Sequence, residues 1–151
     1  MRVIVTGDRR WDCLGLAELV IARLVARHGA GLVIVHGDAT GVDRAFADAA
    51  EDAGVEVEPH PAQWGEIHHP RAVVKRDRNG HPYDSAAGPR RNGVMVARGA
   101  GLCLVVHRDL GASRGTKDCA RQAIAAGIPT WLIASDDLDP VRLLADDPQL
   151  G

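Results

Sequence analysis

Short runs of strand-forming residues alternate along this chain with segments in which apolar residues recur at helical spacing. The predicted strands are Val3–Val5, Leu32–Val35, Val55–Val57, Leu102–Val106 and Trp131–Ile133. The first, second and fourth runs are continuously apolar, which is typical of strands covered by helices on both faces of a sheet. The alternation of strand and helix predicts a parallel sheet with right-handed crossovers.

Four amphipathic segments and one short segment supply the helices. We predict helices over Leu14–Val25, Val42–Ala53, Pro89–Arg98 and Thr116–Ala126, and a short last helix that begins at Asp139–Pro140. Proline in a first helical turn and glycine after a last turn are the signals for these limits. A chain of 151 residues is long enough for one domain. The predicted fold class is α/β, a single Rossmann-like domain with about five parallel strands and helices on both faces.

One segment interrupts this alternation. Residues 65–87 are polar and aperiodic, with Asn79–Gly80 as a turn signal. A loop longer than about 12–15 residues inside a compact domain is usually functional or disordered. We therefore predict a loop insertion at residues 65–87 that forms a mobile flap beside the binding site.

Charge and cysteine content exclude several functional classes. The net charge of −2 gives no overall basic field for nucleic acid or an anionic membrane, although 16 of the 18 basic residues are arginine. The three cysteines match neither a disulfide framework nor metal-ligand spacing, and their apolar neighbours predict reduced core thiols. No apolar run approaches the ~18 residues of a membrane span, and the strand at the N-terminus leaves no room for a signal peptide. We expect a cytoplasmic protein with no membrane partner.

The loops after the predicted strands concentrate glycine and arginine. Ligands of open parallel sheets bind outside the carboxyl ends of the strands, so these loops are predicted to form the site. The segment Ser113–Thr116 has the groups of a phosphate cradle, because a helix start offers free N–H groups beside two hydroxyls and a guanidinium. The predicted ligand-binding residues are Gly7, Arg9, Arg10, Gly37, Asp38, Gly41, Asp43, Trp64, Gly88, Pro89, Arg90, Arg91, Asn92, Ser113, Arg114, Gly115 and Thr116.

Structural roles compete with binding at some of these positions. One alternative is that Gly37 and Gly41 only permit a tight turn, and that Thr40 only caps the helix that follows. Asp43 is favoured in a first helical turn with or without a ligand. As a functional group it would meet ribose hydroxyls or orient an arginine.

Aromatic and histidine side chains leave further alternatives. Trp11 and Trp64 lie on predicted site loops, where each either stacks on a base or covers an edge of the core. Four histidines surround the insertion: His60, His68, His69 and His81. Their spacings match no ordered metal site. We predict no metal and no required cofactor, with a nucleotide as the bound molecule.

Five segments, taken in order, resemble those of the SLOG superfamily and, within it, the YspA-like subgroup. They are Thr6–Trp11, His36–Asp43, Pro61–Trp64, Ala87–Met95 and Ser113–Asp118. The resemblance extends from residue 1 to about residue 133. It implies a Rossmann-like fold with a site for a nucleotide or a nucleotide-derived molecule, and it implies no defined reaction.

The related Lonely Guy phosphoribohydrolases, which cleave the N-glycosidic bond of nucleoside monophosphates, share part of this pattern. Arg91 matches their first signature element, and Gly115 and Thr116 match part of their second. Asn92 stands in place of their lysine and Cys119 in place of their glutamate. The resemblance implies that this chain lacks the carboxylate that stabilises charge at C1 of the ribose.

These observations predict a protein that binds a small nucleotide of the adenine or ADP-ribose type, as a sensor or binding protein. The alternative is a nucleoside 5′-monophosphate N-glycosidase, with Asp43, Asp118 and Arg91 as candidate catalytic residues. A third interpretation is single-stranded nucleic-acid binding, as in the related DNA-processing protein A. The net charge of −2 and the 3% aromatic content disfavour it, because such binding needs stacking platforms. The resemblance also allows a homodimer.

Overall fold

A computed structural model describes residues 1–137 and 139–151 of the chain. The strands are β1 (Arg2–Gly7), β2 (Val33–His36), β3 (Glu56–Pro59), β4 (Val74–Arg76), β5 (Pro82–Asp84), β6 (Leu102–Val106), β7 (Thr130–Ile133) and β8 (Val141–Arg142). The α-helices are α1 (Leu14–His28), α2 (Val42–Asp52), α3 (Ala87–Ala97) and α4 (Arg114–Ala125). Short 3₁₀ helices cover Leu110–Ala112 and Pro148–Leu150.

The main sheet contains six of these strands in the order β3-β2-β1-β6-β7-β8. The first five in this order are parallel, and the two-residue β8 pairs antiparallel with β7 at the edge. The chain runs outward from β1 on one side and outward from β6 on the other, so strand order reverses between β1 and β6. The predicted α/β class with five parallel strands is confirmed, and β8 is an addition to it.

Helices cover both faces of this sheet. Helices α1 and α2 pack on one face, and α3 and α4 pack on the other. Along β1, Val3 and Val5 belong to the first core and Ile4 to the second, and none of the three is exposed. This alternation follows from the two-residue period of a strand. All three cysteines are buried and free, as predicted for core thiols.

The predicted last helix at Asp139–Pro140 is wrong. Val141–Arg142 pairs with β7 as an edge strand instead. The same capping signal acts at Asp147–Pro148, where the Asp147 carboxylate accepts the N–H of Gln149 at 2.9 Å and starts a 3₁₀ helix. Between the two, Leu143 is buried in the core beside α3 and α4. Tertiary packing of this leucine and pairing with β7 therefore outweigh the local helix signal.

The segment 65–87 contains regular structure that its aperiodic sequence did not predict. Strands β4 and β5 form a two-stranded antiparallel hairpin, called here the hairpin. The predicted turn at Asn79–Gly80 lies at its tip, where Gly80 has φ 80 and donates its N–H to the carbonyl of Asp77 at 3.0 Å. Strands of three residues are too short to show an alternating pattern. The mobility of this segment stays a prediction.

The predicted helix limits differ from the structure by a few residues. Helix α3 begins at Ala87, before Pro89, and α4 begins at Arg114, before Thr116. Across the described residues, no helix combines the length and the apolar composition that a membrane crossing requires.

Candidate functional site

A cavity of about 730 Å³ opens at the carboxyl ends of β1 and β6. This is the point where strand order reverses, which is where open α/β sheets bind their ligands. Its volume lies in the range of roughly 300–1,000 Å³ that ligand sites occupy. Its walls are the end of β1, the turn after β2, Trp64, the hairpin, and the starts of α3 and α4.

Thirteen of the predicted site residues line this cavity. They are Gly7, Arg9, Arg10, Asp43, Trp64, Gly88, Pro89, Arg91, Asn92, Ser113, Arg114, Gly115 and Thr116. Four predicted residues lie outside the lining: Gly37, Asp38, Gly41 and Arg90. The structure therefore brings together five separate parts of the chain.

The start of α4 has the geometry of an anion site. The Ser113 hydroxyl caps the helix by accepting the N–H of Thr116 at 3.3 Å. The Thr116 hydroxyl donates to the carbonyl of Gly7 at 3.3 Å, which fixes the helix start against the end of β1. Within the described chain, no acceptor pairs with the N–H of Arg114 or Gly115. Both groups are therefore available to a ligand at the positive end of the helix dipole.

Two glycines allow the loops after β1 and β2 to touch. A Cβ at Gly7 would lie 2.2 Å from the carbonyl oxygen of Val106 and 2.7 Å from Val42 Cγ1. Gly41 has φ 72, and a Cβ there would lie 2.3 Å from the carbonyl oxygen of Asp8. Gly41, and not Thr40, precedes the first residue of α2, and the Thr40 hydroxyl instead donates to the carbonyl of Arg9 at 3.0 Å. Gly41 therefore has the structural role of permitting a tight turn. The Thr40 hydroxyl links the loop after β2 to the loop after β1.

Asp43 is a buried carboxylate at the floor of the cavity, with 6% of its surface exposed. One carboxylate oxygen accepts the N–H of Gly37 at 3.0 Å and that of Ala39 at 3.3 Å, so Asp43 holds the turn after β2. Burial raises the pKa of Asp43 to about 6, against the opposing effects of these N–H groups and of Arg91. Asp43 therefore has both a structural role and a charge that faces an arginine.

Arg91 reaches from α3 across the cavity to the loops after β2 and β3. Its guanidinium donates to the carbonyls of Gly37 and His60, the latter at 3.1 Å. A Cβ at Gly37 would lie 2.2 Å from Nη1 of Arg91, so a side chain there would displace the guanidinium from this position. The Arg91 Nε donates to Asn92 Oδ1 at 2.9 Å, and burial lowers the pKa of the arginine. Arg91 is thus held in place by three acceptors before any ligand arrives.

Asn92 links the starts of α3 and α4. Its amide donates to the carbonyl of Gly115 at 3.3 Å and to the carboxylate of Asp118 at 3.0 Å. Gln122 donates to the same oxygen of Asp118 at 2.8 Å. Asp118 is absent from the cavity lining, and Cys119 is fully buried in the core beside α4. Of the candidate catalytic residues, Asp43 and Arg91 line the cavity and Asp118 does not.

Arg90 fastens the hairpin to α3. Its guanidinium pairs with the carboxylate of Asp84, which is completely buried, and donates to the carbonyl of Arg71 at 3.3 Å. The other carboxylate oxygen of Asp84 accepts the N–H of Val73 at 2.9 Å and that of Ala86 at 3.0 Å. The Arg90 guanidinium holds the pKa of Asp84 below its usual value. Arg90 therefore positions the hairpin and does not face the cavity.

The two tryptophans of the predicted site loops differ in their surroundings. Trp11 is 6% exposed, belongs to the core beside α1, and lies beneath the guanidinium of Arg108 at 5.0 Å from its ring centroid. Trp64 lines the cavity, with the guanidinium of Arg9 at 5.5 Å from its ring centroid. Trp11 thus covers an edge of the core, and Trp64 is available to a ligand.

Two buried histidines follow the same local pattern at strand ends. His36 ends β2 and His107 follows β6, and Nδ1 of each accepts an N–H at 2.9 Å, from Asp38 and Asp109 respectively. Burial lowers the pKa of both histidines, so both are neutral at pH 7 and carry their proton on Nε2. His107 lines the cavity and adds a neutral imidazole to it.

Nine lining residues are outside the list of predicted ligand-binding residues, although four of them lie on the predicted site loops (Thr6, Asp8, Ala39 and Ala112). The other five are Lys75, Tyr83, Ser85, His107 and Asp109. A signal existed for His107 and Asp8, because each lies at or just after the carboxyl end of an apolar strand. No signal existed for Lys75 and Tyr83, because the hairpin that carries them was not predicted.

The lining has an excess of positive charge. Its basic side chains are Arg9, Arg10, Lys75, Arg91 and Arg114, and its acidic side chains are Asp8, Asp43 and Asp109. The whole chain, in contrast, has a net charge of −2. In the part of the chain that the structure describes, no three potential metal ligands converge. The site is thus suited to an anion with a polar and an aromatic portion.

Comparisons with known proteins identify a family, a relative and a solved structure with a similar fold. The model of the YspA, cpYpsA-related SLOG family matches residues 1–66. Gene 61 protein of Mycobacterium phage D29 is 36% identical over 133 residues, which cover 85% of this chain and 92% of the phage protein. The X-ray structure of DNA processing protein A (DprA) from Streptococcus pneumoniae has a similar fold, with a TM-score of 0.59 and 23% identity over 91% of this chain. The chain spans about half of that protein, 52% of its length.

Proposed function

This chain belongs to the YspA, cpYpsA-related SLOG family, and from that premise we propose that it binds a small nucleotide of the adenine or ADP-ribose type in the cavity, as a sensor or binding protein. The family and the fold support a function related to nucleotides or nucleic acid. The choice of a small nucleotide rests on the cavity itself. Its volume and its position between two helix starts fit one compact ligand rather than a long strand.

The observation that carries the proposal is the start of α4. Free N–H groups of Arg114 and Gly115, the Ser113 hydroxyl and the Arg114 side chain surround one corner of the cavity. Backbone N–H groups at a helix start bind phosphate because their partial charges and the helix dipole act together. Arg91 is held nearby and adds a second guanidinium.

Titration calorimetry with adenosine 5′-monophosphate (AMP) tests this proposal. Arg114→Ala should weaken AMP binding by about 1.5–3 kcal/mol, because a charge-assisted hydrogen bond to phosphate is lost. Arg142→Ala is the matched control, since Arg142 is an exposed arginine on the edge strand β8. Equal affinities of Arg114→Ala, Arg142→Ala and wild type would contradict the phosphate assignment.

A binding measurement with an oligonucleotide distinguishes a site for a small nucleotide from a site for nucleic acid. DprA is named as a DNA processing protein, so a related role for this chain is the competing proposal. A single-stranded oligodeoxyadenylate should bind more weakly than AMP, because the lining offers one compact site and the chain has no overall basic charge. Tighter binding of the oligonucleotide would favour the competing proposal.

A second candidate function is an N-glycosidase, and the position of Asp43 favours it. A carboxylate with a pKa near 6 that lines a cavity is suited to proton transfer at neutral pH. One observation argues against an N-glycosidase: one carboxylate oxygen of Asp43 already accepts hydrogen bonds from two N–H groups of the turn after β2. We expect no free adenine from AMP. Release of adenine that Asp43→Asn abolishes would establish the enzyme instead.

A further inference from the structure

The two faces of the hairpin meet different surroundings. Its register places Lys75 opposite Tyr83 and Val74 opposite Asp84. Because side chains alternate along a strand, Lys75 and Tyr83 share one face and Val74 and Asp84 share the other. Lys75 and Tyr83 line the cavity, while Asp84 is buried against α3 and Val74 is 51% exposed. The hairpin thus presents one ammonium and one aromatic ring, side by side, to the cavity.

The backbone holds Tyr83 beside Trp64. The N–H of Asp84, the next residue after Tyr83, donates to the carbonyl of Trp64 at 2.7 Å. The buried pair of Asp84 and Arg90 fixes the same point of the hairpin on α3. The two aromatic residues are therefore brought together at one junction, although 18 residues separate them in the sequence.

Aromatic residues are scarce in this chain, and their distribution is uneven. The chain has three tryptophans, one tyrosine and one phenylalanine. Trp11 and Phe46 belong to the core beside α1 and α2, and Trp131 packs against that core from β7. The other two, Trp64 and Tyr83, both line the cavity. A pair of aromatic residues in one cavity is an arrangement that a flat ligand can use.

The ring of Trp64 packs against the start of α3. A Cβ at Gly88 would lie 2.7 Å from Cη2 of Trp64, so the indole rests on the α3 backbone in a space that only glycine leaves open. The guanidinium of Arg9 lies 5.5 Å from the ring centroid, within the distance of a cation–π contact. A ring that already packs against the protein binds with a smaller loss of conformational entropy.

We propose that Trp64 and Tyr83 form the base subsite of the cavity, with Lys75 beside them and the phosphate at the start of α4. This assignment rests on the proposed function and adds Lys75 and Tyr83 to the ligand-binding residues. Nucleobases have π faces that stack on aromatic side chains. The hairpin therefore recognises the base, and the ligand class is nucleotides rather than phosphosugars that lack a base.

Two ligands that differ only by the base provide the test. AMP and ribose 5-phosphate share the phosphate and the sugar. Tyr83→Ala should weaken AMP binding roughly tenfold and leave ribose 5-phosphate binding unchanged, because the lost contact is to the base. Tyr83→Phe should retain AMP affinity. Val74→Ala, on the opposite and exposed face of the hairpin, is the control for general disturbance of the hairpin.

Tryptophan fluorescence supplies a second readout. AMP should change the emission of the wild-type protein, ribose 5-phosphate should not, and Trp64→Phe should remove the change. The base subsite is overturned if AMP binds with the same affinity to Tyr83→Ala and wild type, or if Tyr83→Ala weakens both ligands by one factor. Those results leave the proposed function intact. A wild-type protein that binds neither ligand overturns the proposed function, and the base subsite with it.

Discussion

Because glycine has no Cβ, the loops of the site approach one another closely at glycine positions. Gly7→Ala should destabilise the protein by roughly 1–3 kcal/mol, because its Cβ would meet the carbonyl oxygen of Val106 at 2.2 Å and the backbone there belongs to β6. Gly15→Ala is the control, since nothing lies within 4 Å of a Cβ at this position in α1. It should stabilise the helix by up to about 1 kcal/mol. Urea unfolding measures both, and equal stabilities of the two variants would contradict the packing described for Gly7.

Burial of Asp43 should make stability depend on pH. Its pKa is about 6 in the folded chain and 3.8 in an exposed reference, so the folded state holds the proton more tightly. The contribution is favourable below pH 4 and is lost as the pH rises from about 4 to about 6, by roughly 3 kcal/mol. Asp43→Asn should lack this loss, so its stability relative to wild type should increase over that range. Urea unfolding at a series of pH values checks this, and a constant difference between the two proteins would refute it.

The residue scale also shows the limit of sequence prediction. The place of Ser113–Thr116 at a helix start that lines the cavity could be predicted, because helix starts have local sequence signals; phosphate binding there stays a prediction. The partner of Arg90 could not, because Asp84 lies in a strand pair with no periodic signal. Asp43 was predicted with two alternative roles, and the turn that it holds became apparent only in three dimensions.

At the scale of elements, the ion pair between Arg90 and the buried carboxylate of Asp84 is one of the contacts that hold the hairpin on α3. Arg90→Ala would leave the Asp84 carboxylate buried without its partner, so the hairpin should detach more often from α3. Hydrogen exchange should accelerate at the N–H groups of Val73, Ser85 and Ala86, which bond at the base of the hairpin. Exchange in β1 and β6 should not change.

A variant at the tip controls for this effect. Arg78→Ala alters an exposed residue in the turn and should leave exchange at the hairpin base as it is in wild type. Unchanged exchange in Arg90→Ala would show that the ion pair does not hold the hairpin.

Elements were predictable in proportion to their length and burial. Strands β1, β2 and β6 could be predicted from continuous apolar runs, because helices cover both of their faces. The four α-helices could be predicted from apolar residues at helical spacing. The three-residue strands of the hairpin and the two-residue β8 are too short for either signal. The prediction of a last helix was wrong because an Asp–Pro pair starts a helix only where the residues after it can pack in a helical conformation. Here those residues pair with β7 instead.

At the scale of the molecule, the reversal of strand order between β1 and β6 determines where the site lies. The reversal separates the loops that follow β1 and β2 from those at the starts of α3 and α4, and the cavity is the space between them. Positive charge collects in this space although the chain as a whole is acidic. A second cavity of about 460 Å³, between α1 and the strands β6 and β7, has a largely apolar lining. Dimerisation and a cytoplasmic location stay predictions.

Hydrogen exchange with and without AMP tests the central claim most directly, because it reports on every loop of the molecule at once. AMP should protect the end of β1, the turn after β2, the start of α3 and the start of α4, together with the cavity face of the hairpin. The second cavity, beside α1 and β7, should show no change and serves as the internal control. Protection confined to the second cavity, or no protection at saturating AMP, would contradict nucleotide binding at the strand ends.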